Sequence, residues 1–418
     1  MRRPIDHRYF ADAAAEGAAE GCDPAETVRD PIKAGLAPAG TGQVFAEGGQ
    51  IPAKEGQILI ACGGTGGHVV PGIALAQRLC AIGRSSLLAI SGKSVDGQFC
   101  QSYPNIAFLV LPGSGFSLKP RVLLRAAWGA LRSFVICLRL IRKHSVAGVV
   151  SFGGFTAFGP CLAAFFLRRP IFLCEVNQRP GKAVRLFAPI ASRIYVPHAL
   201  KNSTALAKKR RHVAMEYPLR SDFIPCGRGE ARRRLALPLE ENLLLVMGGS
   251  QGARVLVDWA AANGQQLAAA GWHGICLTGL GGWERKVFSR GRGGTFYFLT
   301  YFPFCHAMHL LLSAVDLAIC RAGAGTIAEL TACATPSFLV PYPHAANGHQ
   351  TANALAMERN GAAIHLPQEQ LGKLLNRIGE WEHSKEREVM EKNLLKLRMK
   401  MANGAEKLAV SIEEGLRR

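Results

Sequence analysis

Short apolar runs alternate with longer amphipathic stretches along most of the chain. Three of these runs, Ile58–Ala61, 243–247 and Leu317–Cys320, lead directly into glycine-rich segments. Apolar runs of this length without polar interruption are typical of parallel strands that are buried on both faces. Because strands alternate with helical patterns in two successive halves, the sequence predicts an α/β protein with parallel sheets and right-handed crossovers.

The first half of the pattern begins at residue 57. Its predicted strands are 58–61, 87–91, 107–111, 148–152, 171–174 and 193–196, and its predicted helices are 71–82 and 120–143. Pro71 suits the first turn of its helix, where a missing N–H costs no hydrogen bond.

The second half follows a cluster of basic residues, prolines and glycines at 210–238. Its predicted strands are 243–247, 274–278, 295–299, 316–320 and 336–341, and its predicted helices are 253–270, 306–313, 326–333 and the Lys/Glu/Leu-rich segment 384–418. We therefore divide the chain into a tail (1–55), a first domain (56–217), a second domain (218–398) and a final helix (399–418).

The charge of the chain is strongly positive and unevenly spread. The formal net charge is +20, yet residues 1–55 carry six Lys or Arg and nine Asp or Glu. No acidic residue occurs from 97 to 174. This gap favours an anionic partner such as phospholipid, nucleic acid or a pyrophosphate substrate, the alternative being colloidal solubility. Residues 1–55 contain few large apolar side chains, which predicts a flexible tail or an artefact of the assumed translation start.

The twelve cysteines are dispersed, with no Cys-x-x-Cys pair and no Cys/His cluster at metal spacing. Most lie in apolar runs, where a reduced cysteine behaves as a small core residue. This usage indicates a reducing cytoplasm and argues against structural zinc. The charged start without an apolar segment behind it predicts no secretory signal.

The stretch 122–141 is apolar but carries three arginines at seven-residue spacing. Arg125, Arg132 and Arg139 fall on one helical face, and Arg121 extends the row. Three central charges are costly in hydrocarbon, which argues against a transmembrane helix. We expect an amphipathic helix at the lipid headgroups, with Trp128 toward the acyl chains, or alternatively an ordinary packed helix with a solvated basic face.

The glycine-rich segments 63–68, 248–253 and 321–326 each join a predicted strand to a helix. The first of them, 63–68, matches neither the dinucleotide fingerprint nor the P-loop pattern. Each is either a tight turn or a site where helix N–H groups bind a phosphate. His68 closes the first loop as a catalytic or a structural residue, and Ser250 is placed to bind a diphosphate in the second.

Polar residues after the third loop suit a nucleotide sugar. Glu329 is expected either to accept hydrogen bonds from ribose hydroxyls or merely to favour the helix dipole. Gln350 and Asn353, three apart, either bind sugar hydroxyls or cap the helix. No Asp-x-Asp follows a strand, so helix dipoles and basic groups are expected to stabilise a leaving diphosphate in place of a metal ion.

The order of these motifs resembles that of the MurG family of peptidoglycan N-acetylglucosaminyltransferases. The resemblance covers about residues 57 to 410 and rests on 63–68 (GGTGGH), 71–72 (PG), 153–155 (GGF), 175–177 (EVN), 248–253 (GGSQGA) and 349–354 (HQTANA). The chain departs from the family at Cys174, where His is usual, and at Phe155, where Tyr is usual.

The resemblance implies a GT-B fold: two Rossmann-like domains with parallel sheets facing across a cleft, the last helix returning to the first domain. It implies inverting transfer of N-acetylglucosamine from UDP-N-acetylglucosamine to the 4-hydroxyl of lipid I, making lipid II for peptidoglycan, cell wall biogenesis, cell shape and division. The first domain would serve the acceptor and membrane, and the second the UDP-sugar. The expected place is the cytoplasmic face of the inner membrane, peripherally, with an anionic lipid surface as partner and no cofactor or metal.

Residue by residue, the resemblance implies the following site. His68 is the candidate base, Glu175 is a further catalytic candidate, and the remaining substrate contacts are Thr65, Gly66, Gly67, Asn177, Arg220, Ser250, Cys305, Ala324, Gly325, Thr326, Ile327, Ala328, Glu329, Gln350 and Asn353. Arg121, Arg125, Trp128, Arg132 and Arg139 are the expected membrane contacts.

Other functions remain open from the sequence. The nearest is another GT-B glycosyltransferase with a different lipid acceptor, such as diacylglycerol. A UDP-sugar 2-epimerase shares the architecture but needs no lipid and no basic apolar helix. A nucleic-acid-binding protein would interleave aromatic and basic residues, whereas the aromatic residues here lie in apolar runs, so no nucleic-acid partner is expected.

Overall fold

A computed structural model gives the fold of the chain as two compact units. Among the described residues, the first unit holds those from Val44 to Ser221 together with those from Asn403 onward, and the second runs from Asp222 to Ala402. The structure describes residues 44–45, 56–64, 66–92, 96, 100, 102–113, 120–198, 211–248, 253–278, 285–289, 296–302, 305 and 307–417, with only the backbone path described at 44–45, 120–123, 285–289 and 296–302.

The first unit is built on an eight-stranded sheet. Its strands are β1 (Val44–Phe45), β2 (Ile58–Ala61), β3 (Ser86–Ser91), β4 (Phe108–Leu111), β5 (Gly148–Ser151), β6 (Ile171–Cys174), β7 (Arg193–Val196) and β8 (His212–Ala214). They lie in the order β1-β4-β3-β2-β5-β6-β7-β8, and all neighbours are parallel except β1 and β4. The strand order reverses beside β2, as in a doubly wound sheet.

Helices cover both faces of this sheet. They are α1 (Gly66–Ala81), α2 (Pro120–Lys143), α3 (Phe158–Phe166), α4 (Lys182–Phe187) and α12 (Gly404–Leu416). Along β2, Leu59 packs into a core with α2, α3 and α4, whereas Ile58 and Ile60 pack into a second core with α1 and α12. Each face of the sheet is therefore buried, which explains why its strands are continuous apolar runs.

The final helix belongs to the first unit. Leu408 and Ile412 of α12 lie in the core beside α1. Glu413 of the same helix accepts two hydrogen bonds from Arg84, at 2.7 Å to Nε and 2.6 Å to Nη2. This pairing raises the pKa of Arg84, chiefly through the hydrogen bond to Glu413. The helix is thus fixed by apolar packing and one two-pronged ion pair.

Two sequence predictions need correction in this unit. Val44–Phe45, predicted as part of a flexible tail, form a short antiparallel strand, because β4 is the next strand inward and offers unpaired backbone groups; the rest of 1–55 is outside the described residues. Helix α1 begins at Gly66, before Pro71 rather than at it. Val69 and Ile73, four residues apart, are both buried, and their packing keeps the turn before Pro71 helical.

The second unit is built on a seven-stranded sheet. Its strands are β9 (Asn242–Met247), β10 (Trp272–Leu277), β11 (Arg285–Ser289), β12 (Phe296–Phe302), β13 (Leu317–Cys320), β14 (Ser337–Leu339) and β15 (Ile364–His365). The order is β11-β12-β10-β9-β13-β14-β15, and all neighbours are parallel except β11 and β12. This sheet is also doubly wound, with β9 at its centre.

The helices of the second unit complete a three-layer arrangement. They are α5 (Arg228–Arg234), α6 (Arg254–Ala269), α7 (Met308–Ala314), α8 (Ala324–Cys333), α9 (His349–Arg359), α10 (Leu374–Glu382) and α11 (Glu386–Met401). Trp259 of α6 and Trp381 of α10 share one core with β9. Elsewhere in this unit α5 packs on α7, and α8 contacts α7 and α11.

A buried carboxylate fixes α5 to the sheet. Asp316, just before β13, accepts hydrogen bonds from Arg232 at 2.6 Å and from the backbone N–H of Leu243 at 2.8 Å. Its other oxygen pairs with Arg228 at 2.7 Å. Burying a charge is tolerated here because every contact made by the carboxylate is with a donor.

The α/β prediction is confirmed: each unit is a Rossmann-like layer of mainly parallel strands between helices. Within the described part of the chain, no helix has the length and apolar character needed to span a bilayer.

Candidate functional site

In both units, the predicted site residues lie where strands end and helices begin. In the first unit the loop after β2 is shaped by an unpredicted residue, Asp96. This fully buried carboxylate accepts hydrogen bonds from the N–H of Gly64 and the N–H of Ser91, both at 2.9 Å. Gly64 has φ +110°, a conformation that L-residues avoid. Asp96 therefore holds the first glycine loop against the end of β3.

His68 lies on the first turn of α1 and faces the Gly153–Gly154 turn that follows β5. A Cβ atom placed on Gly154 would lie 3.3 Å from Nδ1 of His68 and 2.7 Å from the carbonyl oxygen of Gly63. Thr156 Oγ1 also donates to that carbonyl, at 3.1 Å. The loop after β2 and the turn after β5 are thus packed closely together, and the imidazole of His68 lies against the backbone of Gly154.

Glu175 and Asn177 form one hydrogen-bonded loop after β6. Oε1 of Glu175 accepts from the N–H of Asn177 at 2.9 Å and from its Nδ2 at 3.1 Å. Oε2 accepts from the N–H of Gly181 at 2.6 Å. The residue is 3% exposed. Both of its oxygens are used by the loop, so its geometry suits fixing Asn177 better than moving a proton.

Arg220 lies at the end of the first unit. Its guanidinium donates to the phenol oxygen of Tyr103 at 2.6 Å, and the N–H of the next residue, Ser221, donates to Gln77 Oε1 at 2.9 Å. Tyr103 and Gln77 both belong to the first unit. The residue expected to bind the donor is therefore anchored here beside α1.

Helix α2 has a clearly divided surface. Its inner side packs on the sheet and on α3 through small or apolar residues such as Gly129, Ser133 and Cys137. Its outer side exposes Arg125, Arg132, Arg139 and, between them, Leu124 (71% exposed), Trp128 (61%) and Leu131 (51%). Phe166 at the end of α3, 63% exposed, stacks edge-on against Phe134 of α2 and continues the apolar surface.

In the second unit the third glycine loop opens directly into α8. Gly323 is the N-cap residue and has no side chain to cover the free N–H groups of the first turn. Ala324, Gly325, Thr326 and Ile327 are half-buried, Ala328 is buried, and Glu329 is half-buried on the second turn. The N-terminus of α8 therefore has the character of an anion-binding turn.

Neighbouring loops hold this turn in place. Asn353 of α9 is buried and donates to the carbonyl of Ala322 at 3.1 Å. Arg321 donates to the carbonyls of Val340 and Pro341 at 3.2 and 3.1 Å, and to Gln368 Oε1 at 2.7 Å. Its burial lowers the pKa of this guanidinium.

Gln350 sits next to this network. Its Oε1 accepts from the N–H of Tyr342 at 2.8 Å, and its Nε2 takes no part in that contact. The structure thus brings Gln350, Asn353 and the start of α8 together at the ends of β13 and β14. Asn353 binds loop backbone through its amide nitrogen, whereas the contact of Gln350 with Tyr342 uses only its amide oxygen.

Several predicted residues fall outside this picture. Cys305 is buried, and burial raises the pKa of its thiol to about 12. Thr65, Ser250 and the side chain of Arg121 lie outside the described residues, as do 249–252 of the second loop. Gly66 and Gly67 are the first residues of α1 and remain accessible.

Sequence reasoning missed the roles of Asp96, which holds the first glycine loop, and of Arg321, which holds the third. A signal existed for each of them. Asp96 is the last acidic residue before the acid-free stretch 97–174, and Arg321 is a charged residue directly after an apolar strand. Neither position reveals its partners, because Gly64 and Gln368 are fixed only by the folded path of the chain.

Both halves of the chain match known sequence families. Residues 58–196 match the glycosyltransferase family 28 N-terminal domain, and residues 243–408 match the glycosyltransferase family 28 C-terminal domain. The two matches fall one on each sheet, β2–β7 in the first unit and β9–β15 in the second.

Curated relatives give the finer placement. A UDP-N-acetylglucosamine--N-acetylmuramyl-(pentapeptide) pyrophosphoryl-undecaprenol N-acetylglucosamine transferase from Opitutus terrae is 40% identical over 311 residues, covering 74% of this chain and 82% of the relative. A transferase of the same name from Synechococcus is 34% identical over 328 residues, covering 75% and 83%. The crystal structure of Acinetobacter baumannii MurG matches with a TM-score of 0.66 at 22% identity, covering 86% of this chain and all of that one.

These matches establish the GT-B fold and a glycosyltransferase activity. The sheet orders, the two family 28 domains and the extent of the relatives all agree. The chain therefore belongs to the MurG family of UDP-N-acetylglucosamine-dependent N-acetylglucosaminyltransferases.

Proposed function

We propose that this enzyme transfers N-acetylglucosamine from UDP-N-acetylglucosamine to the 4-hydroxyl of the muramoyl sugar of lipid I, making lipid II. The observation that carries this function is the identity of 40% to a transferase of that name over most of both chains. In the reaction the acceptor oxygen bonds to the anomeric carbon, the bond from that carbon to UDP breaks with inversion, and the hydroxyl proton passes to a base. Diacylglycerol as the alternative acceptor has no support among these relatives.

The second unit is assigned to the donor. The first N–H groups of α8 and its dipole suit the diphosphate, whose negative charge grows as the bond to the sugar breaks. Glu329, on the next turn, is assigned to the ribose hydroxyls, because a carboxylate has two acceptor oxygens for a vicinal diol. Gln350 is assigned to the sugar through its amide nitrogen. Asn353 is assigned to holding the turn, since it is bonded to Ala322.

The first unit is assigned to the acceptor and the proton. His68 is the proposed base: it is half-buried at the start of α1 and held against Gly153–Gly154. An imidazole is suited to taking a proton near neutral pH. Asn177 is assigned to acceptor contact, and Glu175 to presenting it. Arg220 is assigned either to a phosphate of the UDP-sugar or to holding the segment around Ser221, which leads into the second unit.

The role of His68 is tested by substitution. His68→Ala is expected to lower kcat by about 10²-fold or more, the usual size of a general-base contribution, with UDP-N-acetylglucosamine binding unchanged. The matched control is His383→Ala, an exposed histidine at the end of α10 in the second unit. Wild-type turnover by His68→Ala, with the melting temperature retained, rules out the base role. Lost donor binding would instead assign His68 to the nucleotide.

We further propose that α2 and the end of α3 rest on the anionic cytoplasmic face of the inner membrane. The exposed Leu124, Trp128, Leu131 and Phe166 give an apolar surface, and the exposed arginines border it on α2. Arginines at headgroup phosphates with aromatic and aliphatic residues below them is the arrangement of a peripheral helix. A surface of this kind delivers the enzyme to an acceptor that is anchored in the bilayer.

A further inference from the structure

Phe155 has no role in the assignments above, yet its ring fills the space between two glycine turns. A Cβ atom on Gly64, in the first glycine loop, would lie 3.1 Å from Cε1 of Phe155. A Cβ atom on Gly113, just after β4, would lie 3.1 Å from Cδ2 and 3.2 Å from Cε2. The two glycines therefore face opposite edges of one ring. Side chains larger than hydrogen at 64 or 113 would displace it.

The second of these turns also touches helix α2. A Cβ atom on Gly129 would lie 3.0 Å from Cα of Gly113 and 3.3 Å from its backbone nitrogen. Gly129 is buried, while Leu124 and Trp128 of the same helix are exposed. The backbone of the proposed membrane helix is thus in direct contact with the turn on which the ring of Phe155 rests.

The other side of the ring leads to His68. Gly64 is held by Asp96, and the Gly154 backbone next to Phe155 is seated on Gly63 and His68. Close-packed interiors have no free volume to absorb a displacement of a few tenths of an ångström, and an aromatic ring does not compress. A shift of α2 against Gly113 is therefore passed through Phe155 to the first glycine loop.

We propose that Phe155 is a positioning residue. Its ring couples the position of helix α2 against Gly113 to the position of the first glycine loop, and so to the position of His68. This rests on the proposed function, in which α2 meets the membrane and His68 takes the acceptor proton. The groups assigned to the ribose, the sugar and the diphosphate on α8 and α9 lie in the other unit, so the ring is expected to affect turnover and not donor affinity. Phe155 touches neither the reacting atoms nor the nucleotide in this account.

The first test compares substitutions of two half-buried phenylalanines in one segment. Phe155→Leu removes the spacer and is expected to lower kcat about 10-fold or more, because small misplacements of a catalytic group are costly, while KM for UDP-N-acetylglucosamine stays within about 2-fold. Phe155→Tyr keeps the ring and is expected to retain kcat. The control, Phe158→Leu, removes a ring that packs on Phe187 and does not face the glycine turns. Equal effects of Phe155→Leu and Phe158→Leu overturn the proposal.

A double-mutant cycle tests the path itself. Gly129→Ala favours the helix but presses on Gly113, and is expected to lower kcat about 3- to 10-fold in the presence of the ring. In the Phe155→Leu background the same substitution is expected to have no further effect, because the spacer is gone. If the two effects multiply, the coupling is absent and the proposal is wrong. Phe155→Met replaces Phe155→Leu in the cycle if the leucine variant does not fold.

The outcomes separate this inference from the proposed function. A wild-type enzyme that transfers no sugar to a lipid I analogue refutes the proposed function. A wild-type enzyme that transfers sugar, together with an additive cycle, refutes only the role of Phe155.

Discussion

Several charged side chains near the first and third glycine loops are hydrogen-bonded to loop backbone. These bonds limit the role that each side chain is able to take in catalysis. Asp96 holds Gly64, Glu175 holds Asn177 and Gly181, and Arg321 holds Val340 and Pro341. Removing such a side chain leaves buried backbone donors or acceptors without partners. The loss in folding free energy then exceeds the net contribution of the hydrogen bond itself. Substitutions at these positions are expected to alter loop geometry before they alter chemistry.

Glu329 is different, because its assigned partner is the ligand. Glu329→Ala is expected to weaken UDP-N-acetylglucosamine binding by about 10- to 30-fold, the loss of roughly 1.5 to 2 kcal/mol for hydrogen bonds to a charged acceptor. Isothermal titration calorimetry gives the affinity. Glu369→Ala, an exposed acid of the same unit, is the control. Unchanged affinity in Glu329→Ala would remove Glu329 from the donor site.

At the scale of elements, the strands buried on both faces were the most predictable. β6 and β7 have the predicted bounds to the residue, because each apolar run is bounded by prolines or polar residues. Helix α5 was not predicted: it lies inside 210–238, where the sequence showed only a cluster of basic residues, prolines and glycines. Its stability depends on Arg232 reaching Asp316, which lies far along the chain, and no local pattern reveals that pair.

The candidate site was predictable in residue type and order, and less so in orientation. The glycine loops lie at strand ends, as the apolar runs indicated. Whether a polar side chain faces the ligand or its own loop depends on the loop path. Glu175 and Asn353 illustrate this: both are polar residues beside expected substrate contacts, and both are buried and bonded to backbone.

Helix α2 carries the prediction on membrane binding. Replacing Arg125, Arg132 and Arg139 together by Gln is expected to weaken binding to vesicles with anionic phospholipid by on the order of 100-fold, at about 1 kcal/mol per arginine near the surface. Vesicle sedimentation at constant ionic strength measures it. The control replaces Lys392, Lys396 and Lys400, three exposed charges on α11, by Gln.

The two triple variants separate local contact from net charge. Each removes three positive charges from one helix. If both weaken vesicle binding equally, the effect comes from the total charge of the protein, and α2 has no special role.

Helix α12 carries a prediction on stability. Ile412 is fully buried beside α1, so Ile412→Ala is expected to lower the free energy of unfolding by about 2 to 5 kcal/mol. Val410, 45% exposed on the same helix, is the control, and Val410→Ala is expected to change stability by less than about 1 kcal/mol. Urea denaturation followed by tryptophan fluorescence measures both. Equal, small effects would mean that α12 contributes little to the first unit.

At the scale of the whole molecule, charge and chemistry have a common explanation. The chain is strongly basic, lacks acidic residues over 97–174, and carries its exposed arginines beside exposed aromatic and aliphatic side chains on α2. Both proposed substrates are pyrophosphates, and one is embedded in a membrane with negative headgroups. A basic protein concentrates near such a surface and near such ligands without any further contact.

The central claim is that this enzyme joins N-acetylglucosamine to lipid I. The most direct measurement incubates purified protein with radiolabelled UDP-N-acetylglucosamine and equal amounts of a short-chain lipid I analogue and diacylglycerol, then separates the products. The account predicts that the label passes to the lipid I analogue alone, with release of UDP and loss of transfer in His68→Ala. Label on diacylglycerol, or no UDP-sugar consumption by the folded protein, would contradict it.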